Sequence, residues 1–369
     1  MIKVALVRGK YLNNFEGQNY VFPSSSLIKL TAISSLFPIN STFPFPTIKL
    51  ASMSDFGNNR LFKFLTNRIL GDSQILFGLE KLADKFDIFH TADPHYYYSY
   101  QLAKLRSRNL IKKLILTSWE TIPANNESIS RKKLIKRFTL KQVDEFICHT
   151  NRAKRALIKE GVDERKIEMV RLGVDINRFK FQFPNSNFPI RQAQGPEFIE
   201  GQTISKFQFP KINILFVGRL VKEKGVEDLQ RAMAAIKNSR IKLKIVSSVA
   251  YEQMPRVYQN ADILVLPSKT TKTWEEQYGM VLVEAMACGL PIVAYDSGAI
   301  AEVIGGVGIL VKEDDVDGLR RAILELINDS NLRAKLGKMG RERVICEFDS
   351  LKTAKKLAKI YENINRYSY

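Results

Sequence analysis

The sequence has few of the residues on which disulfide scaffolds and metal centres depend. Its 369 residues include only three cysteines and three histidines. The cysteines, Cys148, Cys288 and Cys346, have neither the spacing of a zinc motif nor that of a disulfide framework. We therefore expect no metal site and no disulfide, which is typical of a protein in a reducing cytoplasm.

The sequence also lacks long apolar runs. No stretch reaches the roughly 18 consecutive apolar residues that indicate a membrane span, and residues 1–7 are too short for a signal peptide and predict a first β-strand. With 45% hydrophobic and 26% charged residues, the chain can bury large cores and is not of the disordered class. Its length predicts two or three domains.

The positive charge is unevenly distributed. Residues 1–180 hold 30 Lys and Arg against 16 Asp and Glu, a net of +14, whereas residues 181–369 hold 27 against 22, a net of +5. Residues 131–137 form the densest basic cluster. The excess is explained by a solvated surface, by attraction to an anionic membrane that carries a lipid-linked acceptor, or by nucleic acid. Since no recognition helix, zinc spacing or RNA-binding aromatic signature is present, we expect no nucleic-acid partner.

A stretch at residues 274–299 organises the second half of the chain. A polar loop leads into an apolar segment, residues 280–288, which predicts a helix that ends at Gly289. Pro291 then begins a short buried strand. The unpaired backbone N–H groups at the N-terminus of such a helix attract phosphate.

Two glutamates flank the start of this predicted helix. Glu276 lies in the loop and Glu284 lies inside the helix among apolar residues, where a carboxylate needs hydrogen-bond partners. Sugar hydroxyls would serve as such partners. The alternative is that Glu284 has a structural pairing.

A second loop has the composition of a diphosphate site. A buried strand, residues 212–217, is followed by Gly218 and Arg219, and then by Lys224 and Gly225 before a helix. Arg219 could bind oxygens as a fork and Lys224 as a point charge, while the glycines permit close backbone approach. Ordinary surface exposure of the two cations is the alternative.

Candidate ligand-binding residues in the first half follow predicted strands, because ligands bind at the carboxyl ends of strands in doubly wound sheets. After the first strand comes a polar loop at residues 10–20, which is otherwise an ordinary surface loop. We expect His90 to be buried structurally. Trp119 could stack on a sugar, and Glu120 could accept its hydroxyl protons. The candidates on this acceptor or sugar side are Glu16, Gly17, His95, Trp119 and Glu120.

The pattern Glu276-x7-Glu284, followed by Ala-Met-Ala-Cys-Gly-Leu-Pro, resembles the signature of the retaining GT-B glycosyltransferases of family 4. The resemblance is strong from about residue 212 to 348. Two motifs common in this family are missing here, namely adjacent glycines after the first strand and a histidine near residue 118. The resemblance implies an α/β fold of two Rossmann-like doubly wound domains that face each other across a cleft.

The resemblance also implies roles for residues of the second half. Glu276 would position the donor sugar, Arg219 and Lys224 would stabilise the leaving diphosphate, and Glu284 would hold the ribose. We therefore expect Glu276, Arg219 and Lys224 to be the catalytic residues. The expected nucleotide-sugar-binding residues are Glu284, Gly218, Tyr278, Gly279, Met280, Val281 and Ser268.

We expect an acceptor-side domain at residues 1–172 and a nucleotide-sugar domain at residues 173–350. A final helix, residues 351–369, is expected to cross back to the first domain. Residues 181–210 predict an inserted loop, because Lys-Phe-Gln-Phe-Pro occurs at 180–184 and again at 206–210. In residues 21–85 the sequence predicts helical stretches and proline-rich loops.

The predicted function is that of a hexosyltransferase-like retaining enzyme. It would transfer a sugar from a nucleotide-diphosphate donor, without a metal cofactor, to a saccharide or lipid-linked acceptor in cell-envelope glycan or glycolipid synthesis. We expect a cytoplasmic protein with peripheral contact to the inner face of the membrane. Two alternatives stay open: a nucleotide-sugar epimerase of similar build, and a non-catalytic sugar- or nucleic-acid-binding protein.

Overall fold

The computed structural model describes residues 1–56, 66, 68–180, 211–236 and 238–366. The predicted insert at residues 181–210 lies outside these ranges. In the described chain, two separate parallel sheets carry helices on their faces, which confirms the predicted α/β class.

Seven strands form the first sheet, in the spatial order β3-β2-β1-β4-β5-β6-β7, and every neighbouring pair is parallel. Alternate residues of each strand point to opposite faces. In β1, Ala5 and Val7 therefore join one core, while Val4 and Leu6 join the core on the other face. The strands are β1 (Ile2–Gly9), β2 (Ile28–Ser34), β3 (Thr47–Lys49), β4 (Ile88–Ala92), β5 (Lys113–Ser118), β6 (Glu145–Cys148) and β7 (Ile167–Met169).

Five parallel strands form the second sheet, in the order β12-β11-β10-β8-β9. Here too, alternate residues of one strand enter two cores: Leu215 and Val217 pack on one face, Ile214 and Phe216 on the other. The strands are β8 (Ile212–Val217), β9 (Ile241–Val246), β10 (Ile263–Leu266), β11 (Ile292–Tyr295) and β12 (Ile309–Val311).

Eleven α-helices have both ends within the described ranges. They are α1 (Asn14–Gly17), α2 (Tyr97–Ser107), α3 (Ser130–Gln142), α4 (Asn151–Lys159), α5 (Val226–Ala234), α6 (Met254–Gln259), α7 (Met280–Ala287), α8 (Ile300–Ile304), α9 (Val316–Asn328), α10 (Ser330–Glu347) and α11 (Ser350–Arg366). None of the helices in these ranges combines the length and the apolar character needed to cross a bilayer.

One prediction about the first half was wrong in part. Residues 21–85 were expected to hold helices and loops, but two strands of the first sheet, β2 and β3, lie there. The β2 sequence, Ile-Lys-Leu-Thr-Ala-Ile-Ser, is short and bounded by serine and proline, and short apolar runs do not distinguish helix from strand by periodicity. This segment pairs with β1 in a register that begins with Ile2 opposite Ile28. These contacts between residues distant in sequence fix it as a strand.

The last helix, α11, packs on the first sheet. Leu357, Ile360 and Tyr361 belong to the same core as β1 and β4. The Tyr361 hydroxyl lies 2.6 Å from Nδ1 of His90, whose Nε2 lies 2.7 Å from Oγ1 of Thr117. His90 is completely buried by these contacts, so its role is the structural one expected.

The segment that joins the two sheets packs tightly against the start of α11. The N–H of Val174 donates to the carbonyl of Phe348 at 2.8 Å, and the N–H of Ser350 donates to the carbonyl of Val174 at 3.0 Å. A Cβ atom at Gly173 would lie 2.5 Å from the Phe348 carbonyl oxygen. Only glycine therefore allows the joining segment to meet the α10–α11 turn.

We expect Gly173→Ala to lower the free energy of unfolding by about 1–3 kcal/mol, since backbone atoms on both sides must move apart. Urea unfolding measures the change. Gly17→Ala is the control, because a Cβ atom there would meet only the Phe45 ring at 3.4 Å. Equal stability of the two variants would contradict the tight packing at Gly173.

Candidate active site

A cleft of about 710 Å³ lies between the two domains, at the carboxyl ends of strands from both sheets. This is the edge at which doubly wound sheets bind ligands. The first domain contributes Arg8, Tyr11, Asn13, Phe15, Glu16, Ile39, Ala92, Asp93, Tyr96, Tyr98 and Trp119. The second contributes Val217, Gly218, Arg219, Val246, Ser247, Ser248, Val249, Tyr251, Met254, Glu276, Gln277, Tyr278, Gly279, Met280, Val281 and Glu284.

The N-terminus of α7 forms part of the second-domain wall. The helix begins at Met280 after Gly279, which has the left-handed backbone conformation (φ 81°). Gly279, Met280 and Val281 line the cleft. Because the first N–H groups of a helix have no partner within it, this end can receive an anion.

Glu276 lies in the cleft wall with one carboxylate oxygen already engaged. Its Oε2 accepts hydrogen bonds from Nζ of Lys224 at 2.6 Å and from Oγ of Ser268 at 2.9 Å. Lys224 also lies over the Trp274 ring, 4.9 Å from its centroid. Lys224 and Ser268 thus contact Glu276 from behind and are not part of the lining.

The backbone of Glu276 is fixed by the loop after β11. The N–H of Ala299 donates to the Glu276 carbonyl at 2.8 Å. A Cβ atom on Gly298, whose φ is +55°, would lie 2.3 Å from the same carbonyl oxygen. This loop therefore supports Glu276, and its residues are not among those that line the cleft.

Glu284 lies in α7 at the inner end of the cleft. Its Oε2 accepts a hydrogen bond from the Tyr258 hydroxyl at 2.6 Å, and the residue is only 4% exposed. Burial raises the pKa of Glu284 to about 7, although the hydroxyls of Tyr258 and Tyr251 act in the opposite direction. The carboxyl group is thus buried but still borders the cavity.

Arg219 lies at the mouth of the cleft. About 65% of its side chain is exposed, and its nearest acidic partner, Glu223, is 4.0 Å away. Its guanidinium group is therefore available to a ligand at little cost in broken contacts. Gly218 lines the wall beside it.

The first-domain wall contains a buried cation. Arg8 donates from Nε to Glu16 at 2.8 Å and from Nη2 to the Tyr20 hydroxyl at 3.0 Å. Beside it, Asp93 follows β4 with a positive φ of 40°. Burial raises the pKa of Asp93 to about 7.

Three residues expected on the acceptor side do not line the cleft. Glu120 accepts hydrogen bonds from the N–H groups of Thr121 and Ile122 and from the side chains of Asn125 and Asn126, so its oxygens hold its own loop together. His95 packs on Tyr96 with ring centroids 4.4 Å apart, and burial lowers its pKa to about 3. Gly17 lies in α1, beneath the wall.

The remaining two acceptor-side candidates, Glu16 and Trp119, do line the cleft. Trp119 packs against His149 with ring centroids 4.5 Å apart, and His149 packs against Tyr278 of the second domain at 5.9 Å. The Tyr278 hydroxyl donates to the carbonyl of Leu172 in the joining segment at 2.6 Å. This aromatic cluster connects the two walls.

An ion pair also joins the domains next to the catalytic candidates. Arg152, in α4, donates from Nε and Nη2 to the two oxygens of Glu275 at 2.6 and 2.7 Å. Glu275 is 3% exposed and precedes Glu276 in the chain. The loop that carries Glu276 is therefore held by the first domain as well as by the second.

Several cleft residues were not identified from the sequence. Those of the first wall are Arg8, Tyr11, Asp93, Tyr96 and Tyr98, and those of the second are residues 246–249, Tyr251 and Met254. Most follow the carboxyl ends of β1, β4 and β9, so the strand-end rule would have indicated them. Within the described ranges, no cluster of three or more His, Cys, Asp or Glu side chains could hold a metal ion.

Two protein-family models match the chain. The model described as Glycosyltransferase Family 4 matches residues 56–178, and the model described as Glycosyl transferases group 1 matches residues 240–343. The GDP-mannose-dependent monoacylated alpha-(1-6)-phosphatidylinositol monomannoside mannosyltransferase of Corynebacterium glutamicum is 31% identical over 204 residues, which are 48% of this chain and 51% of that protein. The chain spans about half the length of the curated relatives it matches first.

Solved structures with the same architecture cover the whole chain. Sucrose-phosphate synthase from Thermosynechococcus elongatus has a TM-score of 0.71 at 17% identity and covers 100% of both chains. Anabaena HepE in complex with UDP and glucose has a TM-score of 0.70 at 15% identity and covers 98% of this chain and 100% of that one. The fold is therefore the GT-B fold of glycosyltransferases. Taken with the two family models, it places the chain in family 4 of the glycosyltransferases.

We expect Glu284→Gln to gain stability relative to the wild type as the pH rises from about 4.5 to about 7, the usual and the folded-state pKa of this group. Below this window the group is protonated in both the folded and the unfolded chain. Within it, unfolding releases a proton that the folded chain retains, so wild-type stability falls with increasing pH. The glutamine side chain does not titrate, so it adds no such pH dependence to the stability of the variant. Its amide oxygen can still accept a hydrogen bond from the Tyr258 hydroxyl.

Thermal melts of both proteins between pH 4 and pH 9 measure this difference. We expect the difference between the two melting temperatures to level off once the pH exceeds about 7. A difference that is the same at both ends of the range would mean that the folded-state pKa of Glu284 is not raised above its usual value of 4.5.

Proposed function

We propose that this protein is a retaining glycosyltransferase. It would transfer a sugar from a nucleotide-diphosphate donor to a saccharide or lipid-linked acceptor in the synthesis of cell-envelope glycans or glycolipids. The observation that carries the proposal is the second-domain wall, where Glu276, Glu284, Arg219 and the N-terminus of α7 border one cavity. That wall combines acceptors for sugar hydroxyls with donors for phosphate oxygens.

The donor is a nucleotide-diphosphate sugar. The N–H groups at the start of α7 and the exposed Arg219 bind the diphosphate, while Glu284 accepts hydrogen bonds from the ribose hydroxyls. Structures of HepE with UDP-glucose and with UDP support such a donor. The mannosyltransferase from Corynebacterium glutamicum uses GDP-mannose, so relatives differ in the base and the sugar.

The chemical step requires charge stabilisation on the leaving group. As the bond between the anomeric carbon and the phosphate oxygen breaks, negative charge develops on the diphosphate. Arg219, Lys224 and the helix N–H groups would stabilise it without a metal ion. For this to happen, Lys224 must exchange part of its 2.6 Å contact with Glu276 for the phosphate, which frees Glu276 Oε2 for a sugar hydroxyl.

Retention then follows by front-face displacement. The acceptor oxygen bonds to the anomeric carbon on the face from which the phosphate departs, and the acceptor proton passes to the departing phosphate oxygen. Glu276 is held by Ser268 and Lys224 through a single oxygen, which suits a positioning role better than nucleophilic attack. A glycosyl-enzyme adduct detected by mass spectrometry would contradict this mechanism.

We further propose peripheral membrane contact through α3, which would bring the first domain to lipid-linked acceptors. Arg131 and Arg137 are exposed on this helix, and Leu134 between them is 68% exposed. Lys136 does not contribute, because it is buried and pairs with Glu160 at 2.5 Å. Two cations around an exposed apolar side chain favour an anionic lipid surface.

We expect a thermal-shift screen of UDP, GDP, ADP and their sugars to identify one nucleotide class. A ligand present at 100 times its dissociation constant stabilises the folded state by roughly 2.7 kcal/mol. Glu276→Gln should reduce the shift given by the nucleotide sugar but not the shift given by the nucleotide alone, because Glu276 contacts the sugar. Glu227→Gln, an exposed position of α5, is the matched control.

Product analysis with that donor then tests the reaction. Transfer to an added saccharide, lost in Glu276→Gln and kept in Glu227→Gln, supports a glycosyltransferase. Conversion of the donor alone to its epimer would instead support the epimerase alternative, and binding without any product would support a non-catalytic sugar-binding protein.

Vesicle co-sedimentation tests the membrane contact. The wild type should bind vesicles with about 30% anionic lipid, and the combined change Arg131→Glu and Arg137→Glu should weaken binding strongly, since each basic residue near the surface contributes about 1 kcal/mol. The control, Lys242→Glu with Lys244→Glu, makes the same charge change at exposed positions of β9. Equal losses in both variants would mean that net charge, and not α3, governs binding.

A further inference from the structure

The first-domain wall contains a buried hydroxyl that has no partner among the described residues. Tyr98 is completely buried, yet it lines the cleft, and its hydroxyl makes no hydrogen bond within the described part of the chain. Buried polar groups are nearly always hydrogen-bonded, because an unpaired one costs free energy. The position of Tyr98 on the cavity indicates that a ligand supplies the missing partner.

Asp93 lines the same cavity, and one of its two carboxylate oxygens has no partner among the described residues. Its Oδ1 accepts from the N–H of Trp119 at 2.9 Å, whereas Oδ2 has no hydrogen-bond partner among the described residues. The positive φ of 40° at Asp93 is unfavourable for a residue other than glycine, and such strain is concentrated at ligand sites. Asp93 therefore offers a hydrogen-bond acceptor in the same wall as the Tyr98 hydroxyl.

Arg8, the only cation among the first-domain residues of the cavity wall, has no donor to spare for an anion. Its Nη1 donates to the carbonyls of Val7 and His90, both at 3.1 Å. Its Nε and Nη2 are used by Glu16 and Tyr20, so all five N–H groups have acceptors. Since Glu16 neutralises Arg8 and Asp93 adds no positive charge, this wall does not favour a phosphate.

Two further tyrosine rings belong to the same wall of the cavity. Tyr11 and Tyr96 line the cleft with ring centroids 5.0 Å apart, and Tyr11 is 40% exposed. Aromatic side chains present an apolar face and a polar edge. A pyranose ring matches both, because its C–H groups can pack on an aromatic face while its hydroxyls bond to polar groups at the edge.

We propose that Asp93, Tyr98, Tyr11 and Tyr96 form a subsite for a neutral pyranose, the sugar unit of the acceptor. We call these four residues the pyranose subsite. The sugar packs on Tyr11 and Tyr96 and places hydroxyls against Asp93 Oδ2 and the Tyr98 hydroxyl. The inference rests on the proposed function and narrows it, because it excludes an acceptor that is recognised there through a phosphate.

Tyr98→Phe gives the sharpest test, because it removes only the unpartnered hydroxyl. Stability in urea should stay the same or rise, since no protein contact is lost, while the dissociation constant for a pyranoside should increase about 3- to 10-fold, as expected for one net hydrogen bond. At a pH well above 7, where Asp93 is ionised, Asp93→Asn should increase it by at least about 10-fold, because it replaces a charged acceptor. Tyr100→Phe, on α2 and away from the cleft lining, is the control and should change neither quantity.

The probes are methyl and octyl hexopyranosides on one side and farnesyl phosphate on the other. Binding is followed by calorimetry with the preferred nucleotide present, so the readout does not require turnover. Methyl and octyl glycosides that bind equally would indicate a soluble saccharide, and preference for the octyl glycoside would indicate a lipid-linked sugar. Either result supports the pyranose subsite if Tyr98→Phe weakens the binding of the pyranoside.

Three results would overturn the inference: no pyranoside binds the wild type, Tyr98→Phe leaves pyranoside affinity unchanged, or farnesyl phosphate binds and is weakened by Tyr98→Phe. Failure of the proposed glycosyl transfer can be distinguished from failure of the pyranose subsite. If pyranosides bind in a Tyr98-dependent manner but no sugar is transferred from any donor, the subsite stands and the glycosyltransferase proposal does not.

Discussion

The geometry of the cleft depends on the ion pairs that hold two consecutive glutamates, Glu275 and Glu276, in place. Glu275 is paired with Arg152 of the first domain, and Glu276 is paired with Lys224 of the second. The peptide that joins them is thus fixed from both sides of the cleft, and Gly298 leaves its backbone no room to shift. Because a buried carboxylate without a partner is costly, loss of the Arg152–Glu275 pair would also loosen Glu276, the next residue in the chain.

Part of this arrangement was predictable from the sequence. The boundaries of α7 follow from local rules: helix-forming residues after Gly279, and Gly289 and Pro291 after the end. Glu276 and Glu284 could be placed on either side of its start, and the structure puts both at one cavity. The parallel sheets followed from alternating strand and helix patterns and from the family resemblance.

The rest depends on contacts that local patterns do not contain. Nothing near Glu275 in sequence indicates Arg152, which is more than 120 residues away. Glu120 looked accessible because it follows a strand, but its own loop takes up both oxygens. Asp93 and Tyr98 were missed because an aspartate before a proline and a tyrosine in a helix are common. Only the folded chain shows that one polar atom of each lacks a partner among the described residues.

The first domain combines an excess of positive charge with a cavity wall that carries no free positive charge among its described residues. Residues 1–180 carry a net charge of +14, yet Arg8, the one cation among the described residues that line this side of the cavity, is neutralised by Glu16. The excess charge therefore lies away from the cavity wall, on surfaces such as α3. A field of this kind can orient the domain toward an anionic surface, while the cavity wall itself presents tyrosine hydroxyls and carboxylates.

The position of α11 has a consequence for biogenesis. Leu357, Ile360 and Tyr361 complete a core whose other members lie mostly in the first 147 residues. During translation, β1 and β4 leave the ribosome long before these three side chains exist. The apolar face of the first sheet must therefore stay partly uncovered while the second domain is synthesised, and a chaperone that binds exposed apolar strands would have its longest opportunity there.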